Sequence, residues 1–231
     1  MRSPVSFIIL ALHFVVATPA PAAGDTLGRL HFTGITIDTY NHIQLGSATT
    51  QNGLTSGGCK PMTIIFARGT TEQGNVGTLS GPPWFDAMGK IVGPQNLAVQ
   101  GVEYPADIPG FLAGGDKKGS AKMAQLVMQA MKTCPNTKVV MAGYSQGGQL
   151  CHNAAAMLPP ATAAKVSSAV IFGDPMNGKK VAGIPAAKTK VICHQGDNIC
   201  AGGNQILMPH LTYSQNAGEA AKFAAAAAGM A

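Results

Sequence analysis

The stretch VVMAGYSQGGQL, from Val139 to Leu150, places a tyrosine, a serine and a glutamine between glycines, directly after a run of apolar residues. The apolar run predicts a buried strand and the residues from Gln146 onward predict a helix, so Ser145 falls at the turn between them. GYSQG matches the G-x-S-x-G pattern of a nucleophile elbow, in which small residues let a strand and a helix approach closely. The alternative interpretation is an ordinary strand-to-helix turn, and the surrounding sequence has to decide between the two.

Short apolar segments rich in β-branched residues alternate with helix-like segments from residue 62 onward. The predicted strands are 62–67, 97–104, 138–143, 168–174 and 190–195, and the predicted helices are 84–92, 120–134, 146–158 and 217–228. Ser120 is the predicted N-cap of the second helix. Strands that alternate with helices form a parallel sheet covered on both faces. The predicted class is therefore α/β, and functional residues are expected at the carboxyl ends of the strands.

The composition indicates one compact domain and argues against several classes of function. The chain has 231 residues, of which only 11% are charged, and its net charge is +6. Disordered proteins are richer in charge, and the scattered lysines and arginines form no basic stripe for nucleic acid. No Cys/His cluster has the spacing of a zinc site, so no metal or cofactor is expected. Without a heptad repeat or an evident dimerisation stripe, a monomer is expected.

The first residues have the layout of a secretory signal. Arg2 is followed by an apolar run from Val5 to Val16 and then by small residues, which is too short for a membrane span. A buried N-terminal strand is the alternative. The expected organisation is a signal peptide over 1–23, an N-terminal extension over 24–52 and a catalytic domain over 53–231. The protein is thus expected to be secreted, without stable membrane insertion.

Secretion makes the five cysteines informative, because disulfides persist in oxidising compartments. The simplest arrangement is two disulfides and one unpaired thiol. Cys193 and Cys200 could close one tight loop, and Cys59 and Cys134 could link the start of a strand to the end of a helix. Cys151 falls inside the predicted helix after Ser145 and is expected to be a buried thiol.

A serine nucleophile requires a histidine base and an acid that orients it, and after a nucleophile elbow the acid precedes the histidine in the chain. The downstream acids are Asp174, Asp197 and Glu219. Asp197 is preferred, because a Cys193–Cys200 bridge would make its loop rigid. Asp174 ends a strand and is followed by a proline, which indicates a turn residue, and Glu219 follows every histidine.

His210 is the one histidine that follows Asp197 in the sequence. The other candidates precede the core, lie in the helix behind the serine or lie in a strand: His31, His42, His152 and His194. The predicted triad is therefore Ser145, Asp197 and His210. The backbone N–H of Gln146, at the start of the helix, is predicted to stabilise an oxyanion in front of the serine.

Four motifs in this order resemble fungal cutinases, over roughly residues 53–228. They are FARGTTEQGNVG from Phe66, GYSQGG around Ser145, CHQGDNIC around Asp197 and PHLTY around His210. The resemblance implies a small three-layer α/β-hydrolase sandwich with a mostly parallel sheet of about five strands and no large lid. It also implies the disulfides Cys59–Cys134 and Cys193–Cys200.

The resemblance further implies a second oxyanion donor and a substrate crevice. Thr70 stands where better-known members have a serine, and it keeps both the hydroxyl and the backbone N–H. The crevice lies between two loops whose apolar residues are Ile108, Phe111, Leu112, Ile206, Leu207 and Met208. The alternative is that these side chains fill the core. Asn204 departs from the family, which has an apolar residue there.

Together these features predict a secreted serine carboxylic-ester hydrolase that cleaves cutin and short-to-medium aliphatic esters through an acyl-enzyme on Ser145. The expected partner is a polyester or a small ester, and no nucleic acid. One alternative is a carbohydrate esterase that removes acetyl groups from xylan. Another is a non-catalytic secreted elicitor on the same scaffold.

Overall fold

The computed structural model describes residues 48–231. The predicted signal peptide over 1–23 lies outside the described residues, as does the extension up to residue 47. Within residues 48–231, no helix is both long enough and apolar enough to cross a membrane.

Five parallel strands form the central sheet, as predicted. They are β1 (Met62–Ala67), β2 (Leu97–Gly101), β3 (Lys138–Tyr144), β4 (Ser168–Phe172) and β5 (Thr189–Ile192). Their order in the sheet is β2-β1-β3-β4-β5, with every neighbouring pair parallel. Strands β1, β2 and β4 are buried along their whole length, which is characteristic of a parallel sheet covered on both faces.

Helices cover both faces of the sheet and complete the three layers. They are α1 (Gly81–Val92), α2 (Ile108–Leu112), α3 (Lys117–Thr133), α4 (Gln146–Met157), α5 (Pro160–Ala163) and α6 (Ala217–Ala227). On one face α1 and α6 pack against the sheet around Trp84 and Phe85. On the other face α3 and α4 do so around Met123 and Leu150. The predicted α/β-hydrolase-like sandwich is confirmed.

Two predicted helix starts are wrong. Helix α3 begins at Lys117, because Asp116 is its N-cap and its Oδ1 accepts a hydrogen bond from the Gly119 N–H at 2.6 Å. Ser120, the predicted cap, is buried inside the helix and donates its hydroxyl proton to the Asp116 carbonyl. Helix α1 begins before Trp84, because prolines in its first turn need no hydrogen-bond acceptor there.

Several strands end earlier than predicted. Strand β2 ends at Gly101, and β5 ends at Ile192. Strand β4 ends at Phe172 because Gly173 turns the backbone with a φ of 57°. The end of the extension and the first residue of the predicted catalytic domain lie along the outer edge of β2, where Gly101 N–H donates to the Gln51 carbonyl and Gly53 N–H donates to the Val99 carbonyl. The predicted domain boundary at residue 53 stays a prediction.

The two predicted disulfides are present. Cys59–Cys134 links the segment before β1 to the end of α3, and Cys193–Cys200 closes the loop after β5. Cys151 is a buried free thiol in α4, as expected. Burial, and to a lesser extent the nearby Asp174 charge, raises the pKa of this thiol, so it is kept protonated and unreactive.

The two disulfides should differ in their contribution to stability. In the chain-entropy model, a bridge between cysteines 75 residues apart contributes about 4 kcal/mol and one between cysteines 7 residues apart about 2 kcal/mol. We therefore expect the C59S/C134S variant to lose about twice as much unfolding free energy as C193S/C200S. Urea titrations of the two variants and the unaltered protein measure this, and equal losses would contradict it.

Candidate active site

Ser145 lies at the sharp turn between β3 and α4, with φ 55° and ψ −122°. A non-glycine residue with positive φ costs about 1–3 kcal/mol, so the surrounding structure must hold it there. Its N–H donates to the Phe172 carbonyl of the neighbouring strand at 2.9 Å, and its carbonyl accepts from the Gly148 N–H at 2.8 Å. The serine is therefore fixed by backbone bonds on both sides.

The glycines around Ser145 are required by close backbone approach. A Cβ on Gly147 would lie 1.9 Å from the Ala67 carbonyl oxygen at the end of β1. A Cβ on Gly143 would lie 2.2 Å from the Gly147 carbonyl oxygen. No side chain fits at either position. The sequence left open whether GYSQG is an ordinary strand-to-helix turn or a nucleophile elbow. The two interpretations do not exclude each other, because the same tight turn that joins β3 to α4 also holds Ser145 in its position.

Asp197 and His210 form a buried hydrogen-bonded pair. His210 Nδ1 lies 2.8 Å from Asp197 Oδ2, and the Ile199 N–H donates to Asp197 Oδ1 at 2.9 Å. Because a carboxylate only accepts, Nδ1 of His210 carries the proton and Nε2 is left as the basic nitrogen. Within residues 48–231, the buried Nε2 has no hydrogen-bond partner. Ser145 and His210 line the same open cavity.

Tyr213 keeps the Asp197 carboxylate ionised. Burial by itself raises the pKa of Asp197, but hydrogen bonds from the Tyr213 hydroxyl and from His210 outweigh this and hold the pKa below its usual range. The pKa of Tyr213 is raised, first by burial and then by its bond to Asp197. Tyr213 therefore remains a donor to a charged carboxylate, whose negative charge can stabilise a protonated His210.

Two tyrosines orient the His210 ring. The Tyr144 ring stacks on it with centroids 5.1 Å apart, and the Tyr144 hydroxyl donates to the His210 carbonyl at 2.9 Å. The Tyr213 ring meets the His210 ring edge to face, with centroids 6.0 Å apart. The Tyr213 hydroxyl also accepts from the His194 N–H at 3.0 Å. Sequence reasoning missed both tyrosines, although they stand in GYSQG and PHLTY, because those patterns assign them no chemistry.

The side chain of Gln146, the residue directly after Ser145, contacts Thr70. The Gln146 side-chain amide donates to Thr70 Oγ1 at 2.8 Å and to the Asp107 carbonyl at 2.9 Å. Because Thr70 Oγ1 accepts this bond, its own proton is free to point towards the cavity that Thr70 also lines. The Gln146 backbone N–H is the first of α4 and has no acceptor within the helix. The sequence predicts only this backbone role for Gln146 and does not indicate the contacts of its side chain.

Glu72 holds the loop that carries Thr70, and it is a further residue that sequence reasoning missed. Its carboxylate accepts backbone N–H groups from Gly69 at 2.7 Å and from Thr78 and Leu79 at 2.9 Å each. A Cβ on Gly77 would lie 2.4 Å from the carboxylate oxygens. Glu72 is the only acidic residue of ARGTTE, and this was the feature of the sequence from which its role could have been predicted.

The cavity has a volume of about 710 Å³ and an apolar entrance. The predicted crevice residues that line it are Ile108, Phe111, Leu112 and Ile206, and Asn204 lines it too. Leu207 and Met208 are exposed but do not belong to its lining. Ile108, Leu112 and Ile206 are each more than half exposed, so the alternative that they fill the core is wrong.

Within residues 48–231, the other candidate acids and histidines have partners of their own, and the candidates His31 and His42 lie outside the described residues. Asp174 Oδ1 accepts the Met176 N–H, as expected of a turn residue, but its Oδ2 also pairs with His152 Nε2 at 2.9 Å. Glu219 pairs with Lys190. Among residues 48–231, no group of three or more His, Cys, Asp or Glu side chains is arranged to hold a metal ion.

Comparison with known proteins places the chain in a known family. The family model for Cutinase matches residues 58–228. The chain is 57% identical to cutinase pbc1 of Pyrenopeziza brassicae over 184 residues, which are 80% of this chain and 89% of that protein. It is similar to a solved Trichoderma reesei cutinase in complex with a phosphonate inhibitor, with a TM-score of 0.75 and 46% identity over 82% of this chain and 84% of that one. A solved acetylxylan esterase has a TM-score of 0.59 at 22% identity over 74% and 100% of the two chains, a likeness of fold alone.

The Tyr213 hydroxyl should stabilise the fold in a pH-dependent way. The bond from the Tyr213 hydroxyl lowers the pKa of Asp197. The contribution of this bond to the unfolding free energy is therefore complete at pH values above the usual aspartate pKa, and it is lost as the pH falls through the lowered pKa of the folded protein. We expect Tyr213→Phe to cost about 1.5–3 kcal/mol of unfolding free energy near neutral pH, as for a bond to a charged group, and less in acid.

Tyr144→Phe is the matched control for this measurement. Its hydroxyl donates to the neutral His210 carbonyl, so its cost of about 1 kcal/mol should not change between neutral pH and acid. Denaturant titrations at both pH values give the two differences. Equal pH dependence in both variants would contradict the account of Asp197.

Proposed function

Because this chain belongs to the cutinase family of serine carboxylic ester hydrolases, we propose that it is a secreted enzyme that cleaves cutin and short-to-medium aliphatic esters through an acyl-enzyme on Ser145. The observation that carries the proposal is the unpartnered Nε2 of His210. It belongs to a ring whose other nitrogen is bound to an ionised Asp197, and His210 lines the same cavity as Ser145. That arrangement provides a base beside a serine held in a strained turn.

In the first half of the reaction, Ser145 Oγ attacks the ester carbonyl carbon and His210 Nε2 accepts the hydroxyl proton. The Asp197 carboxylate stabilises the resulting imidazolium. Negative charge develops on the carbonyl oxygen, where the Gln146 N–H and the Thr70 hydroxyl stabilise it. His210 then gives its proton to the departing alcohol oxygen, and the acyl group stays on Ser145.

In the second half, water takes the place of the alcohol. His210 accepts a proton from the water, whose oxygen attacks the acyl carbon and regenerates the oxyanion between Gln146 and Thr70. When the tetrahedral species collapses, His210 returns the proton to Ser145 and the carboxylic acid leaves.

The exposed apolar entrance supports an aliphatic, insoluble substrate. Ile108, Leu112 and Ile206 present apolar surface at the cavity that Ser145 lines. Exposed apolar patches on soluble proteins commonly mark interaction sites, and an aliphatic polyester chain would bury this one. An acetylated sugar polymer would instead favour aromatic and polar contacts.

The disulfides support the proposed secretion. Cys59–Cys134 and Cys193–Cys200 are both formed, and such bonds persist in oxidising compartments. The predicted signal peptide over residues 1–23 would direct the chain there. The enzyme is proposed to act as a monomer on a polyester or small ester, without nucleic acid and without stable membrane insertion.

Ser145→Ala tests the nucleophile. We expect this variant to keep the unfolding midpoint of the unaltered protein to within a few degrees and to lose hydrolysis of a short-chain nitrophenyl ester by roughly 10⁴-fold or more. Thermal denaturation and initial rates measure the two effects. Substantial residual hydrolysis by the folded variant would contradict the proposal.

The substrate class is tested by comparing rates on nitrophenyl esters of increasing acyl length, on cutin and on acetylated xylan. We expect cutin and the aliphatic esters to be hydrolysed and acetylxylan to be hydrolysed slowly or not at all. Faster release of acetate from xylan than of hydroxy acids from cutin would favour the carbohydrate esterase. A folded protein inactive on every ester would favour the elicitor.

Thr70 tests the oxyanion site. Thr70→Ser keeps the hydroxyl and should stay near the original kcat, whereas Thr70→Val removes it and should lower kcat by about 10²–10³-fold with little change in KM. Thr71→Val is the matched control, because the Thr71 hydroxyl donates only to the Thr70 carbonyl. Equal kcat for Thr70→Val and Thr71→Val would exclude a role for the Thr70 hydroxyl.

A further inference from the structure

A second buried histidine–aspartate pair lies beside the nucleophile and takes no part in the reaction described above. His152 Nε2 and Asp174 Oδ2 are 2.9 Å apart, and the two side chains are 3% and 0% exposed. The other carboxylate oxygen, Oδ1, accepts the Met176 N–H at 2.8 Å. A buried ionic or polar pair of this kind often contributes little net stability, so its presence calls for another explanation.

The pair is attached to the nucleophile helix on one side. His152 lies in α4, one turn beyond Gly148 and on the same face of the helix. Gly148 itself packs against the Asp174 carboxylate, because a Cβ placed there would lie 3.3 Å from Asp174 Oδ1. The Gly148 N–H donates to the Ser145 carbonyl. The first turn of α4, which sets the position of Ser145, thus rests on Asp174.

On its other side, the pair is attached to the base through the segment Phe172–Asp174. The Phe172 carbonyl accepts the Ser145 N–H. The next residue, Gly173, has a φ of 57°. It packs closely against the imidazole, because a Cβ there would be 2.8 Å from His210 Cε1 and 2.9 Å from His210 Nδ1. In this segment, Phe172 therefore contacts Ser145, Gly173 contacts His210, and Asp174 contacts His152.

From this chain of contacts, we propose that His152 and Asp174 are positioning residues: their pair locks Phe172–Asp174 onto α4 and so fixes the spacing between Ser145 and the His210 imidazole. The inference rests on the proposed function, since it concerns the geometry of that reaction. A displacement of about 1 Å between reacting groups can cost roughly 10²-fold in rate. Without the pair, Gly173 keeps its N–H bond to the Ile192 carbonyl but loses the link through Asp174 to α4, and a shift of Gly173 relative to α4 would displace the His210 ring packed against it.

His152→Leu and His152→Gln test the pair. Leucine removes the hydrogen bond to Asp174, whereas the glutamine amide can reach Asp174 Oδ2 from nearly the same place as Nε2. We expect His152→Leu to lower kcat on a soluble nitrophenyl ester by about 10–10²-fold with KM unchanged, and His152→Gln to recover most of that loss. Asn153→Ala is the matched control on the same helix, because Asn153 donates to the exposed Gly114 carbonyl instead.

Titration of the active sites with a fluorophosphonate separates positioning from loss of folded protein. Positioning predicts that every folded His152→Leu molecule is labelled, at a rate that falls in parallel with kcat. A lower labelled fraction with an unchanged rate constant would overturn the proposal, because the pair would then be only structural. Unchanged kcat in His152→Leu would also overturn it.

Asp174→Asn keeps the proposal testable if His152→Leu does not fold. Asparagine retains the volume and the Oδ1 acceptor for the Met176 N–H but removes the carboxylate charge that holds His152. We expect about a tenfold lower kcat at constant KM, and the original kcat in this variant would overturn the proposal. An inactive unaltered enzyme would instead refute the proposed function, so the two failures are distinguishable.

Discussion

The close backbone approach at the start of α4 is the constraint on which the rest of the site depends. Gly147 lies so near the Ala67 carbonyl, and Gly143 so near Gly147, that neither position has room for a side chain. This contact brings α4 against the carboxyl ends of β1 and β3 and forces Ser145 to a φ of 55°. The loop after β1 then reaches the start of α4, where Thr70 accepts a hydrogen bond from the Gln146 side chain. The proposed nucleophile and the proposed oxyanion donors are therefore placed by one packing contact.

The proposed acid and base, Asp197 and His210, depend on a second constraint, which is the burial of a charged carboxylate. An ionised aspartate out of contact with water needs hydrogen-bond donors, and Asp197 receives them from Ile199, His210 and Tyr213. The same bonds that hold the carboxylate ionised also fix the tautomer of His210. Stability and chemistry are thus coupled at this point, since a change in the donors to Asp197 alters both.

Much of this was predictable from the sequence, because the informative residues are local. A parallel five-stranded sheet follows from short apolar segments that alternate with helices, and Ser145 follows from its glycine frame. What was missed is contact between residues far apart in the chain: Tyr213 on Asp197, the Gln146 side chain on Thr70, and His152 on Asp174. The wrong start of α3 has a local cause, because Asp116 and Ser120 are both plausible caps and only the backbone geometry selects between them.

The central claim is that one serine, held in a strained turn and lining the same cavity as His210, is the reactive nucleophile of this fold. Mass spectrometry of the folded protein after reaction with a fluorophosphonate, followed by proteolysis, tests it most directly. The account predicts one phosphonyl group per chain, on the peptide that contains Ser145, and none after the protein is unfolded before reaction. A fully active protein that carries the adduct on another residue, or carries none, would contradict it.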